Sequence, residues 1–209
     1  IKLRKYIDEL NHYYYVLNES KVSDFEFDSV LNELKDLEQN YPQFNDPYSP
    51  TKRVGGSVDK FNSVKHLFPM LSLNNAYSDE DLINYDKRIR KNTQDKIEYI
   101  CELKFDGVSI SVIYENGKFK RATTRGDGVS GDDVTLNIKT IKSIPMRLKG
   151  AFPDKVELRG EIFISKKDFE KLNKERVQKD LDIYSNPRNT ASGSIKLLGP
   201  KEVNKRPLD

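Results

Sequence analysis

Residues 41–62 contain Pro42, Pro47, Pro50, Gly55 and Gly56, and apolar residues recur with a different period on either side of that stretch. Proline lacks an amide donor and glycine is conformationally loose, so neither a helix nor a central strand runs through such a segment. The chain therefore divides near Lys60, into residues 1–60 and residues 61–209. On the N-terminal side, Ser23-Asp24-Phe25-Glu26 has the spacing of a capping box, and Phe27, Val30, Leu31, Leu34 and Leu37 follow at helical intervals. This predicts a helix from Asp24 to Asn40, closed by Tyr41-Pro42. Leu3, Ile7, Leu10 and Tyr14 form an earlier stripe, which predicts a helix over residues 2–17 packed on the second as a helical hairpin.

Beyond the linker the pattern becomes α+β. Asp79-Glu80-Asp81 opens a helix reaching Lys91, and Tyr99–Lys104 and Val108–Tyr114 read as strands. Asn116-Gly117 suits the positive φ angles of a tight turn and leads into a strand over Lys118–Thr124. A strand over Lys155–Ile164, a helix capped by Ser165 and running to Val177, and a helix over Asn189–Leu198 complete an antiparallel sheet with flanking helices. No internal repeat is present.

Composition removes several classes of protein. No stretch approaches the roughly 20 apolar residues of a membrane-spanning helix, and the charged opening segment Ile1–Leu10 does not read as a signal peptide, so the cytoplasm is the expected compartment. A single cysteine, Cys101, permits no internal disulfide, and with His12 and His66 it makes no zinc spacing; both histidines read as structural or solvent-facing. Residues 1–60 carry 8 Lys/Arg against 11 Asp/Glu, and residues 61–209 carry 28 against 22. The second part is therefore mildly basic, which suits a phosphate-bearing partner and equally suits a solvated surface.

Three segments have the residue types for chemistry. In Cys101-Glu102-Leu103-Lys104-Phe105-Asp106-Gly107, strand alternation places Glu102 and Lys104 on one face just before a glycine that allows a sharp turn. An ordinary solvated Glu/Lys face is the competing reading. Arg125-Gly126-Asp127-Gly128 to Asp133 sets a cation beside three glycines, a composition for close backbone approach to a ligand or for a plain surface turn. Arg125 has the planar fork that clamps phosphate or carboxylate. Glu157, Arg159 and Glu161 alternate with Val156, Leu158 and Gly160, as on a strand with one face to water or to a cleft.

In this order the three segments resemble the nucleotidyltransferase domain of DNA ligases. Further stretches narrow the resemblance to the NAD-dependent bacterial type: Tyr14-Tyr15-Val16, Asp24 to Asp28, Ser49-Pro50-Thr51, Arg53-Val54-Gly55-Gly56, Pro69-Met70-Leu71-Ser72-Leu73 and Asn186-Pro187-Arg188-Asn189. The resemblance covers essentially the whole chain. It implies that Lys104 attacks the α-phosphate of NAD, releasing nicotinamide mononucleotide and leaving a lysyl-AMP. It implies further that Glu102 contacts adenine, Arg125 and Glu161 hold the ribose and phosphate region, Ser72 and Leu73 line the nucleotide pocket, and Asp106 shapes the loop beside the lysine. The front hairpin would bind the cationic nicotinamide nucleotide through Asp24 and Asp28, which share a helical face, and through Tyr14, Tyr15 and Phe27. Tyr15 and Phe27 depart from the His and Tyr expected there, which removes polar contacts and predicts weaker NAD binding. Asp24 has a competing reading as a helix-dipole partner, Asp28 as a solvated residue, and Phe27 as part of the apolar stripe.

The resemblance also implies Mg²⁺ arriving with the substrate, no metal site on these residues, nicked duplex DNA as partner, a monomer and no membrane association. The family continues past Asp209 into two further lysine-bearing motifs, an OB-fold, a zinc module, a helix-hairpin-helix region and a BRCT domain, so the chain reads as a fragment whose zinc would lie in the absent part. Two other classes fit parts of the pattern. One is a module that binds NAD without turnover, and the other is an RNA ligase or capping-type nucleotidyltransferase using ATP or GTP, which has no evident use for residues 1–40.

Overall fold

The computed structural model describes residues 1–15, 19, 21–53 and 61–209. Two helices, α1 (Lys2–Tyr15) and α2 (Asp24–Asn40), pack on each other. The predicted end of the first helix at residues 16–17 lies outside the described residues. Ile7, Leu10 and Leu34 bury the shared apolar stripe. The capping box that starts α2 is formed on both arms, Ser23 accepting from the Glu26 amide at 3.3 Å and the Glu26 carboxylate accepting from the Ser23 amide at 2.8 Å. Tyr41-Pro42 ends the helix, and a short 3₁₀ turn at Pro50–Lys52 contacts both helices.

The rest of the chain is a mixed helix and antiparallel sheet architecture. β1 (Ser63–Lys65) pairs antiparallel with β4 (Ser130–Asp132), and β2 (Val108–Glu115) is the centre of a three-stranded sheet between β3 (Lys118–Thr124) and β5 (Lys155–Ile162). The Asn116-Gly117 turn has φ of 49° and 71°, as its residue types require. Register sets the two faces of the sheet. Ile110 sits opposite Thr124 and Gly160, Val112 opposite Ala122 and Leu158, and Tyr114 opposite Phe119 and Val156, which puts this row on the core side. Val134, Ile138, Ile141, Met146 and Ile195 close the core over it. The other face holds Ser109 opposite Glu161 and Ser111 opposite Arg159.

The remaining helices are α3 (Asp79–Arg90), α4 (Thr135–Ile138), α5 (Lys166–Gln178), α6 (Pro187–Ile195) and α7 (Pro200–Val203). Three expectations need correction. Residues 99–104 form no strand: no other strand pairs with them among the described residues, and Ile100 and Leu103 are 90% and 82% exposed, so alternation without a ladder partner leaves them irregular. The helix expected over Asn189–Leu198 starts earlier, at Pro187 capped by Asn186, and stops at Ile195. The strand expected over residues 155–164 ends at Ile162.

Ion pairs and hydrogen bonds tie the two helices together and join the segment after them to residues 139–147. Arg53, 7% exposed, donates from Nη1 to the carbonyls of Lys139, Ile141 and Ile144 at 3.4, 3.2 and 3.1 Å. Arg4 holds Glu38 at 2.7 Å through Nε, and Arg147 reaches Asp46 at 2.7 Å. Tyr114 donates to the Pro145 carbonyl at 2.8 Å, and burial pushes its phenol up to about 12. Among the described residues no helix is long and apolar enough to cross a membrane.

Candidate nucleotide cleft

The sheet's polar face and the start of α6 enclose an open cleft of about 740 Å³. One wall is Asp106-Gly107-Val108-Ser109, where the chain enters β2; a second is Thr124-Arg125-Gly126, where it leaves β3; the third is α6, with Asn186, Arg188 and Asn189 at its start and Lys196 just past its end. Local sequence explains each wall. Gly107 is required because a Cβ there would lie 2.2 Å from the Ile162 carbonyl oxygen. Gly126 takes φ of 56°, and a Cβ would meet the Ser130 carbonyl at 2.0 Å, so the turn carrying Arg125 closes only on glycine. Asp127 accepts from the amides of Ser130 at 2.7 Å and Val129 at 2.8 Å, which holds its carboxyl below the usual range and fixes the loop. Asn186 accepts from the Asn189 amide at 2.8 Å, with Pro187 at the first helical position.

Three cations, Arg125, Arg188 and Lys196, stand in this cleft. Arg188 lies 3.4 Å from Asp106 with both side chains more than half exposed, and Lys196 pairs with Asp132 at 2.7 Å. Among the described residues the Arg125 guanidinium has no partner; the backbone of Arg125 is anchored instead, its amide donating to the Ser109 carbonyl at 3.2 Å and its carbonyl facing His66 Nε2 at 3.0 Å. Glu161 is half-buried beside the cleft and accepts from Ser109 Oγ at 2.8 Å. A pocket with excess positive charge, amide side chains and glycine-shaped walls suits a phosphorylated ligand.

The structure therefore brings Asp106, Arg125 and Glu161 together. It does not bring Lys104, Glu102, Ser72 or Leu73 into the cleft wall: all four are exposed, on irregular segments spanning residues 66–77 and 97–106. Lys104 is nevertheless tethered close behind, since Phe105 stacks on Phe163 with centroids 4.6 Å apart, Asp106 meets Arg188, and Gly107 abuts β5. In the helical unit the backbones of Tyr14 and Tyr15 form the last turn of α1, and Asp24 opens α2. Phe27 is half-buried with Lys142 Nζ 6.0 Å from its ring centre, and Asp28 is exposed on the α2 face beside Phe25 and Asn32. Among the described residues no group of three or more His, Cys, Asp or Glu side chains is placed to hold a metal ion. Lys196, Ser109 and the role of Arg188 escaped the sequence reading, because each acquires meaning only from the β2–β5 register and from the docking of α6.

A sheet whose open face carries a phosphate-suited cleft, with a lysine-x-aspartate-glycine turn at its edge, is an arrangement that a nucleotidyltransferase would use. Residues 58–209 match the profile of the NAD-dependent DNA ligase adenylation domain, and residues 1–55 match that of the DNA ligase-like N-terminal NAD+-binding domain. The chain belongs to the NAD-dependent DNA ligase family. It is similar to the DNA ligases of Christiangramia forsetii, at 53% identity over 99% of this chain, of Flavobacterium psychrophilum, at 53% over 99%, and of Petrotoga mobilis, at 48% over 99%. The chain spans 31% of the length of each of these relatives.

Proposed function

We propose that this chain is the part of an NAD-dependent DNA ligase that charges itself with AMP. The Lys104 amine attacks the adenylyl phosphorus of NAD, a P–N bond forms, the P–O bond to nicotinamide mononucleotide breaks, and the amine proton passes to solvent. Phosphoryl transfer of this kind rests on positioning and charge neutralisation, which is the work assigned to Arg125 and Glu161 around ribose and phosphate. Nucleophilic attack needs the amine's lone pair, so in this reading the exposed 97–106 segment closes over the nucleotide and shields the amine from water. Glu102, Ser72 and Leu73 join the pocket in the same closure. The observation that carries this reading is the end-to-end match of an NAD+-binding profile followed by an adenylation profile.

Residues 1–60 act in this reading as a helical hairpin that receives the nicotinamide nucleotide at Tyr14, Tyr15, Asp24, Phe27 and Asp28, and residues 61–209 as the nucleotidyltransferase unit. The lysyl-AMP then serves nick sealing in duplex DNA, in replication and repair, by a monomeric cytoplasmic bacterial protein, with magnesium carried in on the phosphates of NAD. The test is incubation of the full-length protein with labelled NAD, ATP or GTP followed by intact mass. Addition of one AMP from NAD, abolished by Lys104→Ala and by Lys104→Arg, is the expected result. Labelling from ATP or GTP alone, or AMP uptake surviving in Lys104→Ala, overturns the reading; reversible NAD binding without labelling assigns the chain to the binding-module class.

A further inference from the structure

The irregular segment 66–73 carries Ser72 and Leu73 yet has little secondary structure to hold it, with only residues up to Lys65 in a strand. Its placement comes from a few contacts. On one side it is bonded to the turn that carries Arg125: the His66 amide donates to the Val129 carbonyl at 2.9 Å, the Met70 amide donates to the Gly128 carbonyl at 2.8 Å, and Met70 itself is 6% exposed. On the other side, among the described residues, the side-chain hydrogen bonds come from one residue. Arg159, on the open face of β5, donates from Nη2 to the Phe68 carbonyl at 2.8 Å and from Nη1 to the Pro69 carbonyl at 3.1 Å.

The guanidinium is itself aimed. Its Nε donates at 3.1 Å to Glu157 Oε1, an oxygen that also accepts from Ser111 Oγ at 2.8 Å, and the Glu157 side chain is only 6% exposed. Two consecutive main-chain carbonyls read by one planar fork is a geometry arginine supplies and lysine, a point donor, does not. All three nitrogens of Arg159 are directed at protein acceptors, so the residue faces the segment rather than the ligand.

We propose that Arg159, aimed by Glu157, is a positioning residue for the nucleotide pocket: it fixes the Phe68–Met70 backbone from which Ser72 and Leu73 reach the nucleotide, and so couples that segment to the turn bearing Arg125. This rests on the reading of Ser72 and Leu73 as nucleotide-pocket residues given above. The effect falls on nucleotide binding and not on the chemical step, because the residue touches neither the reacting lysine nor phosphorus.

Two measurements on Arg159→Ala and Arg159→Lys in the full-length protein test it. In hydrogen exchange, Arg159→Ala is expected to raise exchange at the His66 and Met70 amides by about tenfold or more, leaving the β2–β5 ladder protected. In AMP uptake from NAD, Arg159→Ala is expected to raise the KM for NAD by about tenfold with kcat within about twofold, and Arg159→Lys to recover part of that loss. Unchanged exchange at Met70 overturns the proposal, as does a fall in kcat at unchanged KM, which would mark Arg159 as a contact to the reacting groups. If the unsubstituted protein takes no AMP from NAD, the functional reading fails instead, and exchange at Met70 alone decides whether Arg159 holds the segment.

Discussion

At the junction between the two helices, the segment after them and residues 139–147, Arg53 is 7% exposed and meets three main-chain carbonyls, while Arg4 and Arg147 converge on Glu38 and Asp46. In the cleft, Arg125 has no side-chain partner among the described residues, and Arg188 has one 3.4 Å contact to a carboxylate that is 77% exposed. The two regions use the same residue type for different ends. A buried guanidinium costs several kcal/mol unless its donors are met, so Arg53, and to a lesser degree Arg4, is committed to the fold, whereas Arg147 is 42% exposed. Cleft arginines are exposed and such groups contribute little to stability, which suits the anion-binding role proposed for them.

Substitutions should separate the two regions. Arg53→Ala strips a charged donor from three carbonyls and is expected to cost about 3 kcal/mol, read from the urea midpoint at constant slope; a loss under about 1 kcal/mol would erase the contrast. A smaller effect depends on pH. Burial pushes the Glu38 carboxyl up, but hydrogen bonds from Ser49, Thr51 and Arg4, with the charge of Arg4, outweigh it and hold the group below its ordinary 4.5. Its stabilisation is therefore complete above the unfolded value and lost as the pH falls from about 4.5 through the lower folded value. Asp46 is depressed in the same way: burial raises it, and the Tyr48 amide, Arg147 and Arg4 prevail. Glu38→Gln should remove about 1 kcal/mol of acid-dependent stability, and Glu38→Gln with Asp46→Asn more, seen as a flatter Tm against pH on the acid side. Equal slopes in variant and parent would show that the junction carboxylates are not linked to folding. Smallest of all, Arg125→Ala and Arg188→Ala should shift Tm by less than about 2 °C. Arg125→Ala should still weaken NAD binding about tenfold. A large drop in Tm for either would place the cleft arginines with the junction ones.

What could be read from the sequence depended on how local its cause was. The capping box and stripe of α2, and the positive φ pair at Asn116-Gly117, are set within a few residues, and both stand where the pattern places them. Arg125 was visible as a candidate because its neighbouring glycines suit close backbone approach, with a plain surface turn as the equal alternative, and Asp106 entered only through the family resemblance. The Tyr99–Lys104 strand failed because alternation specifies a face and not a partner. β1 and β4 were invisible because Ser63–Lys65 and Ser130–Asp132 have too little apolar content to show a period. Arg53 stood out only as part of a motif. Its three carbonyls lie 86 to 91 residues away, and nothing local announces them.

The glycine that closes the Lys104-Phe105-Asp106-Gly107 turn has a further consequence. Any side chain at position 107 would collide with the Ile162 carbonyl, whatever ligand the neighbouring cleft accepts. That letter of the signature is therefore dictated by strand against strand. A protein that had lost the lysine and kept this architecture would still spell it.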